Sequence, residues 1–241
     1  MIANIKSMLP PHLSCTKAQG LILQEPIAQF EIGSMKNFIY LVLDWNTKKA
    51  AIVDPQKDLH EPLQALSQNG FELTTILLTH SHHDHIAGVS PLLVKYPNLT
   101  VRVGVLDLHR LPKATHAVPG LKTLTDGEHV KVGELTLMAI HTPGHSAGEF
   151  CYFLPQSATV SHPYLFTGDT IFIRDCGRTD FEDGSNEDMF ASIQKIKKVP
   201  TETVFLVGHH YAKESATTLG DELVKSPPFK CKTVAELAAL P

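Results

Sequence analysis

The stretch Thr74-Thr75-Ile76-Leu77-Leu78-Thr79-His80-Ser81-His82-His83-Asp84-His85-Ile86-Ala87-Gly88 decides how this chain is read. Residues 74–78 form an apolar run fit for a strand buried on both faces, where no polar alternation is needed. Directly behind it, the six residues from His80 to His85 hold four histidines and one aspartate. A helical stretch, Val89–Lys95, comes next. The densest polar cluster is therefore expected at the C-terminal end of a buried strand, where rigid elements hold side chains in register.

Working outward, the pattern recurs. Thr142-Pro143-Gly144-His145 sets a histidine behind a rigid Pro-Gly turn, and Phe166-Thr167-Gly168-Asp169 ends an apolar run in an aspartate. The apolar residues 204–207 deliver Gly208-His209 in the same way. A short histidine-rich tract alone can be a surface feature or a nonspecific metal scavenger. Four separate strand ends that each finish in such residues are not accounted for in that way. His80, His82, Asp84, His85, His145, Asp169 and His209 are thus the candidate metal ligands. Imidazole nitrogens bind borderline metals such as zinc at about 2.0–2.1 Å, and three histidines leave a position open for water, as a catalytic site requires. His83, His141 and His210 read as structural residues or as hydrogen-bond partners for ligating rings. His12, His60, His109, His116, His129 and His162 read as ordinary surface or core residues.

Elsewhere, the alternation over 28–32, 38–43 and 50–53, closed by Asp54-Pro55, predicts an antiparallel meander. Leu59, Leu63 and Leu66 fall at helical spacing until Asn69-Gly70 stops that helix. Further strands are predicted over 101–105, 129–132, 135–140, 150–153, 164–167 and 203–207. A late helix is predicted over 189–198, with Glu187 and Asp188 in its first turn and lysines in its last, as the helix dipole favours. Strands in two groups with helices between them imply a mixed α/β sandwich, sheets inside and helices outside.

At 241 residues one large domain is the default, with 1–24 as an N-terminal extension, 25–215 as the catalytic domain and 216–241 as a short C-terminal segment packed on it. The 43% hydrophobic content supports a real core, and 19% charged residues are too few for a disordered chain. A net charge of −4 gives no attraction for a phosphate backbone, so nucleic acid is not an expected partner. No stretch approaches the roughly 20 apolar residues of a membrane span, so a membrane is not expected either. Cys15, Cys151, Cys176 and Cys231 form no Cys-x-x-Cys pair and read as reduced thiols, which suits a cytoplasmic location. The first twenty residues make a poor secretory signal.

The succession His-x-His-x-Asp-His, Gly-His, Gly-Asp and Gly-His resembles the metallo-β-lactamase-fold hydrolase superfamily, over about residues 28–209. That resemblance implies a four-layer αββα sandwich. It also implies one metal held by His80, His82 and His145, another held by Asp84, His85 and His209, and Asp169 as the bridging carboxylate. Two divalent ions are implied, zinc foremost, with iron or manganese as alternatives. Such ions sit about 3.5–4 Å apart and lower the pKa of a shared water from 15.7 toward ~7, giving a nucleophile without a serine or cysteine. Asp84 and Asp169 are the expected catalytic carboxylates. Asp84 is suited to orienting that nucleophile and carrying its proton.

Gly33-Ser34-Met35-Lys36-Asn37, Asp169-Thr170-Ile171-Phe172 and Cys176-Gly177-Arg178-Thr179-Asp180-Phe181 resemble the glyoxalase II and persulfide dioxygenase branch. The first activity is hydrolysis of a hydroxyacylglutathione thioester by a metal-bridging hydroxide. The second is oxygen insertion into glutathione persulfide at a single iron held by His80, His145 and Asp169, a two-histidine, one-carboxylate set. The Arg178-Thr179-Asp180-Phe181 run is closer to the dioxygenases, whereas 215–220 and 227–229 resemble short bacterial glyoxalase II-like hydrolases. Full-length glyoxalase II carries a helical C-terminal domain that helps bind glutathione; 32 residues follow His209 here. The expected partner is a small thiol-derived molecule, a glutathione conjugate, and hydrolysis is the first reading. A nonenzymatic metal-binding module is the remaining alternative. Arg178, Tyr211 and Lys230 are the candidate substrate contacts. Arg178 is suited either to gripping a carboxylate bidentately or to an ion pair with Asp180 or Asp175. Cys176 is not expected to act as a nucleophile, since no histidine is placed in sequence to activate it.

Overall fold

The computed structural model describes residues 25–240; the extension read over 1–24, with His12 and Cys15, lies outside them. Strands β1 (Ile27–Ile32), β2 (Asn37–Asp44) and β3 (Lys49–Val53) pair antiparallel, as the meander predicts. After α1 (His60–Gln68) the chain enters β4 (Glu72–Leu77), parallel to β3. Helices α2 (His83–Ile86) and α3 (Val89–Lys95) return it to β5 (Thr100–Gly104), and two 3-10 turns, Val105–Arg110 and Lys113–Ala117, lead to β6 (Leu121–Leu124). These strands form one mixed sheet in the order β1-β2-β3-β4-β5-β6.

The second half repeats the plan with other pairings. Strands β7 (His129–Val132), β8 (Leu135–His141), β9 (Phe150–Leu154) and β10 (Tyr164–Gly168) run antiparallel in succession. A small hairpin of β11 (Ile171–Phe172) and β12 (Asp175–Cys176) precedes α4 (Asn186–Ile196). Strand β13 (Val204–Val207) then pairs parallel to β10, and β14 (Thr217–Thr218) closes the edge, giving the order β14-β13-β10-β9-β8-β7. Helices α5 (Leu219–Lys225), α6 (Pro227–Lys230) and α7 (Val234–Ala238) end the described chain. None of the described helices is long and apolar enough to cross a membrane.

Period-two alternation distributes the side chains among three cores. Along β2, which is buried throughout, Phe38, Tyr40 and Val42 enter the space between the sheets, where they meet Leu137, Tyr152, Phe166 and Leu206. Ile39, Leu41 and Leu43 point the other way, toward Leu59 and Leu66 around α1 and Val89 and Leu92 of α3. On the far side, Ile140, Leu165 and Phe205 pack against Met189, Ile193 and Ile196 of α4 and against Phe229 and Leu237 of the C-terminal helices. The result is the four-layer αββα sandwich.

Some elements were hidden from sequence. Strand β6 exposes its two middle residues and is held by backbone pairing to β5, while β11, β12 and β14 are two residues each, too short to show a period. Helix α4 begins at Asn186, ahead of the predicted residue 189, because the Ser185 hydroxyl caps it by accepting from the Asp188 amide at 3.1 Å.

Two buried tyrosines bolt the sheets together. Tyr40 of the first sheet donates to the Val207 carbonyl of the second at 2.7 Å, and Tyr152 of the second donates to the Leu78 carbonyl beyond β4 at 2.8 Å. Each bolt lies two residues before a candidate ligand, His209 and His80. Burial pushes both phenols well above their ordinary range, so they stay neutral donors. Tyr40→Phe should lower the unfolding free energy by about 1–3 kcal/mol, the cost of leaving a buried carbonyl unpaired. Urea denaturation with an unchanged slope would show this, and an unchanged midpoint would refute it.

Candidate metal centre

Every strand end named by the sequence opens on one edge of the sandwich. The segment behind β4 supplies His80 and His82, α2 supplies Asp84 and His85, the β8–β9 loop supplies His145, and β10 and β13 lead to Asp169 and His209. The glycines before these residues have steric reasons. A Cβ on Gly208 would stand 2.1 Å from Asp169 Oδ1, and one on Gly168, whose φ is +51°, would stand 2.4 Å from Thr79 Oγ1. The Gly208 amide bonds the Gly168 carbonyl at 2.8 Å, which fixes Asp169 beside His209.

Ligand atoms of His80, His82 and His145 lie within 4.8 Å of one another, and so do those of Asp84, His85 and His209. In the second set, His85 Nε2 is 3.1 Å from His209 Nε2, and Asp84 Oδ2 is 3.4 Å from each. A tetrahedral zinc bonded at about 2.0–2.1 Å holds its ligand atoms about 3.3–3.4 Å apart, so this triangle is of the right size. Asp169 stands between the sets. Its oxygens are 4.0 Å from His80 Nε2, 3.5 Å from His145 Nε2, 3.5 Å from His85 Nε2 and 3.4 Å from His209 Nε2. Asp54, His80 and His85 are a third such group, but the Asp54 oxygens are already engaged by the Thr79 amide, the Thr79 hydroxyl and His85.

Hydrogen bonds behind the rings establish which nitrogens face inward. His209 Nδ1 donates to the Met35 carbonyl at 2.9 Å and His145 Nδ1 to the Arg178 carbonyl at 2.8 Å. His85 Nδ1 donates to the Asp54 carboxylate at 3.1 Å. The Thr79 hydroxyl gives its proton to Asp54 at 2.6 Å and so accepts from His80 Nδ1 at 3.0 Å. When neutral, all four rings therefore turn an Nε2 lone pair toward the centre. His145 Nε2 faces His82 Nδ1 at 2.9 Å, and His80 Nε2 is buried without a hydrogen-bond partner, as is Asp169 Oδ1. The facing lone pairs of His85 Nε2 and His209 Nε2, 3.1 Å apart, repel unless positive charge lies between them. The donor set fits metal ions.

Electrostatics gives the same answer for the bare protein. Burial drives His80 well below its ordinary pKa and, with His145 adding repulsion, takes His82 down to about 4. Burial also opposes charge on His85, but the carboxylates of Asp169, Asp54 and Asp84 outweigh it and raise this ring to about 9. Asp169 is held well below the carboxylate range against its burial by His85, His209 and His80. Beneath it, burial pushes Glu149 well above its range, and its Oε1 accepts the Asp169 amide at 2.9 Å.

All seven predicted ligand residues are thus brought together. His83 projects outward with an 86% exposed side chain, His141 bonds the Ala147 carbonyl, and His210 pairs with Glu31. Arg178 lies at the rim with its guanidinium forked onto Asp180 at 2.7 and 3.0 Å and set over the Phe181 ring, which itself lies against His82 and His145. Tyr211, 60% exposed, stacks on His209 with ring centroids 4.7 Å apart. Lys230 is exposed at the end of α6 and forms no hydrogen bond or ion pair among the described residues. Burial lifts the Cys176 thiol to about 12, which leaves it unreactive.

Sequence reasoning missed Asp54, Asp107, Glu149 and Asn37. Asp107, fully buried, accepts from the Ser81 amide and hydroxyl, the Ser146 hydroxyl and the Gly148 amide, tying the His80–His82 loop to the His145 loop. Asp54 offered a signal, since it too ends an apolar strand.

Two mixed sheets between helices, with a histidine and aspartate cluster at their common edge, define a metal-site α/β sandwich. The chain belongs to the metallo-beta-lactamase superfamily, whose family model matches residues 35–209. It is 38% identical over 181 residues to a hydroxyacylglutathione hydrolase of Erwinia tasmaniensis, covering 75% of this chain and 64% of that protein. It therefore spans less than two thirds of that relative's length. Among solved structures it is similar to ETHE1 from Myxococcus xanthus, with TM-score 0.75 and 26% identity over 89% of this chain and 92% of that one. A second similar structure, described as a di-iron-bound form, gives TM-score 0.68 and 28% identity over 83% of this chain and 98% of that one.

Two outcomes follow from this geometry. Asp54→Ala, which frees both His85 and Thr79, should weaken metal binding about 10- to 100-fold with the fold retained, as removal of such outer partners does elsewhere. Equilibrium dialysis against a chelator measures this; unaltered affinity would sink the role assigned to Asp54. Below about pH 9 the ion must displace the His85 proton, so apparent affinity should rise with pH, roughly tenfold per unit for one proton. Competition titrations at about pH 6 and 8 test the sign, and a flat profile would contradict it.

Proposed function

We propose that this chain is a dinuclear metal-dependent hydrolase that cleaves a thioester of the hydroxyacylglutathione type. The observation that carries the reading is Asp169, whose oxygens lie within 3.4–4.0 Å of inward nitrogens from both triads. Two separate sites would not share one buried carboxylate. His80, His82 and His145 would hold one ion, Asp84, His85 and His209 the other, with Asp169 between them. When bound, such ions supply a Lewis acid for the thioester carbonyl and a hydroxide nucleophile at neutral pH. The similarity to a hydroxyacylglutathione hydrolase supports the substrate class, and that to a di-iron-bound structure supports the ion count.

The chain's own residues do the rest. Asp84, kept ionised by His85 and Asn37 against its burial, would orient the attacking oxygen and take its proton. Tyr211 and Arg178 stand at opposite flanks of the cluster, over His209 and beside His145, and are the residues assigned to the substrate. Any substrate carboxylate must compete with Asp180 for Arg178. Lys230 is left out of this reading because nothing ties it to the rim. Residues 25–215 are taken as the catalytic unit and 216–241 as a segment packed on it. In support, β14 extends the second sheet, and Arg174 reaches from the β11–β12 hairpin to Asp221 and Glu222 of α5.

A single-iron persulfide dioxygenase is the second reading. The Arg178-Thr179-Asp180-Phe181 run favours it, and His80, His145 and Asp169 are mutually placed for such a set. Elemental analysis of protein purified without added metal, with thioester hydrolysis and persulfide-dependent oxygen uptake measured on the same sample, separates the two. About two ions per chain with thioester cleavage is the expected outcome; one iron with oxygen uptake and no hydrolysis overturns the proposal. Asp169→Ala should empty or scramble both positions, and unchanged metal content would remove the bridge.

A further inference from the structure

The turn Gly33–Asn37 carries a family resemblance and touches the second triad at more than one point. Its last three residues, Met35, Lys36 and Asn37, lie against His209 and His210. The Met35 carbonyl accepts from His209 Nδ1 at 2.9 Å, the Lys36 carbonyl from the His210 amide at 2.9 Å, and the Phe38 amide donates to the Gly208 carbonyl at 2.8 Å. Asn37 itself forms an antiparallel bridge with His209. Its side chain then turns to a second ligand: Asn37 Nδ2 donates to Asp84 Oδ2 at 2.8 Å. That is the oxygen standing 3.4 Å from both His85 Nε2 and His209 Nε2. One short segment therefore grips two of the three members of the second triad.

Asn37 is 1% exposed, and its Oδ1 is buried without a hydrogen-bond partner. The amide's one side-chain bond is the one to Asp84. An ionised carboxylate only accepts, so the atom facing it is the amide nitrogen. A carboxylate oxygen carries two in-plane lone pairs; the amide takes one and leaves the other aimed at the two rings. The bond also selects Oδ2 over Oδ1, which lies toward exposed His83. The first triad receives nothing from this turn. His80 is held through Thr79 and His145 through the Arg178 carbonyl.

We infer that Asn37 is a positioning residue for the second metal position alone, holding Asp84 Oδ2 in the triangle with His85 and His209. This rests on the dinuclear reading above. The test uses metal-free wild type, Asn37→Ala and the near-isosteric Asn37→Leu, the second keeping the buried volume filled should the first fold poorly. Each is titrated with zinc against a chromophoric chelator and with cobalt, followed by its visible absorption. Wild type should take two ions. Both variants should keep one of the two ions at wild-type affinity and bind the other about 10- to 100-fold more weakly. Circular dichroism melts separate this from loss of fold. Two undisturbed positions in both variants would overturn the inference, and so would equal weakening of both positions. A wild type that takes only one ion would overturn the dinuclear reading and this inference with it, an outcome visible before any variant is compared.

Discussion

Imidazole nitrogens whose lone pairs face one another at about 3 Å tolerate that distance only with positive charge between them. His85 Nε2 and His209 Nε2, 3.1 Å apart, are held in this relation. The surroundings enforce it by occupying the opposite nitrogens. The Met35 and Arg178 carbonyls can only accept, the Asp54 carboxylate only accepts, and Thr79 has spent its proton on Asp54. None of these four rings, His209, His145, His85 and His80, can therefore relieve such repulsion by switching tautomer. The protein has spent folding energy to hold a set of donors that only cations, or a proton retained on His85, can reconcile.

That arrangement needs two sheets aligned to within a hydrogen bond. His80, His82, Asp84 and His85 follow the first sheet, whereas His145, Asp169 and His209 follow the second. The reciprocal bonds of Tyr40 and Tyr152 cross the interface two residues ahead of the ligands, so a slip between sheets would break them before it reached the site. Glycine at 168 and 208 lets the second sheet's strand ends approach so closely that the Asp169 carboxylate fills the space a side chain at 208 would take. Packing and site geometry are thus one constraint.

Charge is balanced across the site in layers. Asp84 and Asp169 are anionic in the centre, the Asp54 carboxylate helps raise His85 from behind, and Glu149 is pushed toward neutrality below Asp169 by its burial. At the rim, Arg178 and Asp180 neutralise each other in the open. Both are largely exposed, so this pair contributes orientation to the mouth more than stability.

What the sequence determined by itself was the identity of the seven central residues and the layer type. His-x-His-x-Asp-His is a local spacing, and each remaining candidate ligand follows a glycine, behind an apolar run for Asp169 and His209 and in a Pro-Gly turn for His145, so no long-range register is needed to see them. Buried strands such as β2 and helices such as α3 were legible for the same reason, because their periods are local. Ser185 as the cap of α4 was legible in principle and overlooked. Tertiary structure alone decided what surrounds the ligands. Asp54 reaches Thr79 and His85 only because β3 and β4 lie side by side in parallel, Asn37 reaches Asp84 across 47 residues, and Asp107 joins loops 26 and 39 residues away. Whether Arg178 is a free cation or a paired one was likewise undetermined until its fork met Asp180. Such contacts are set by which strands become neighbours, and that follows from burying three cores at once rather than from any spacing along the chain.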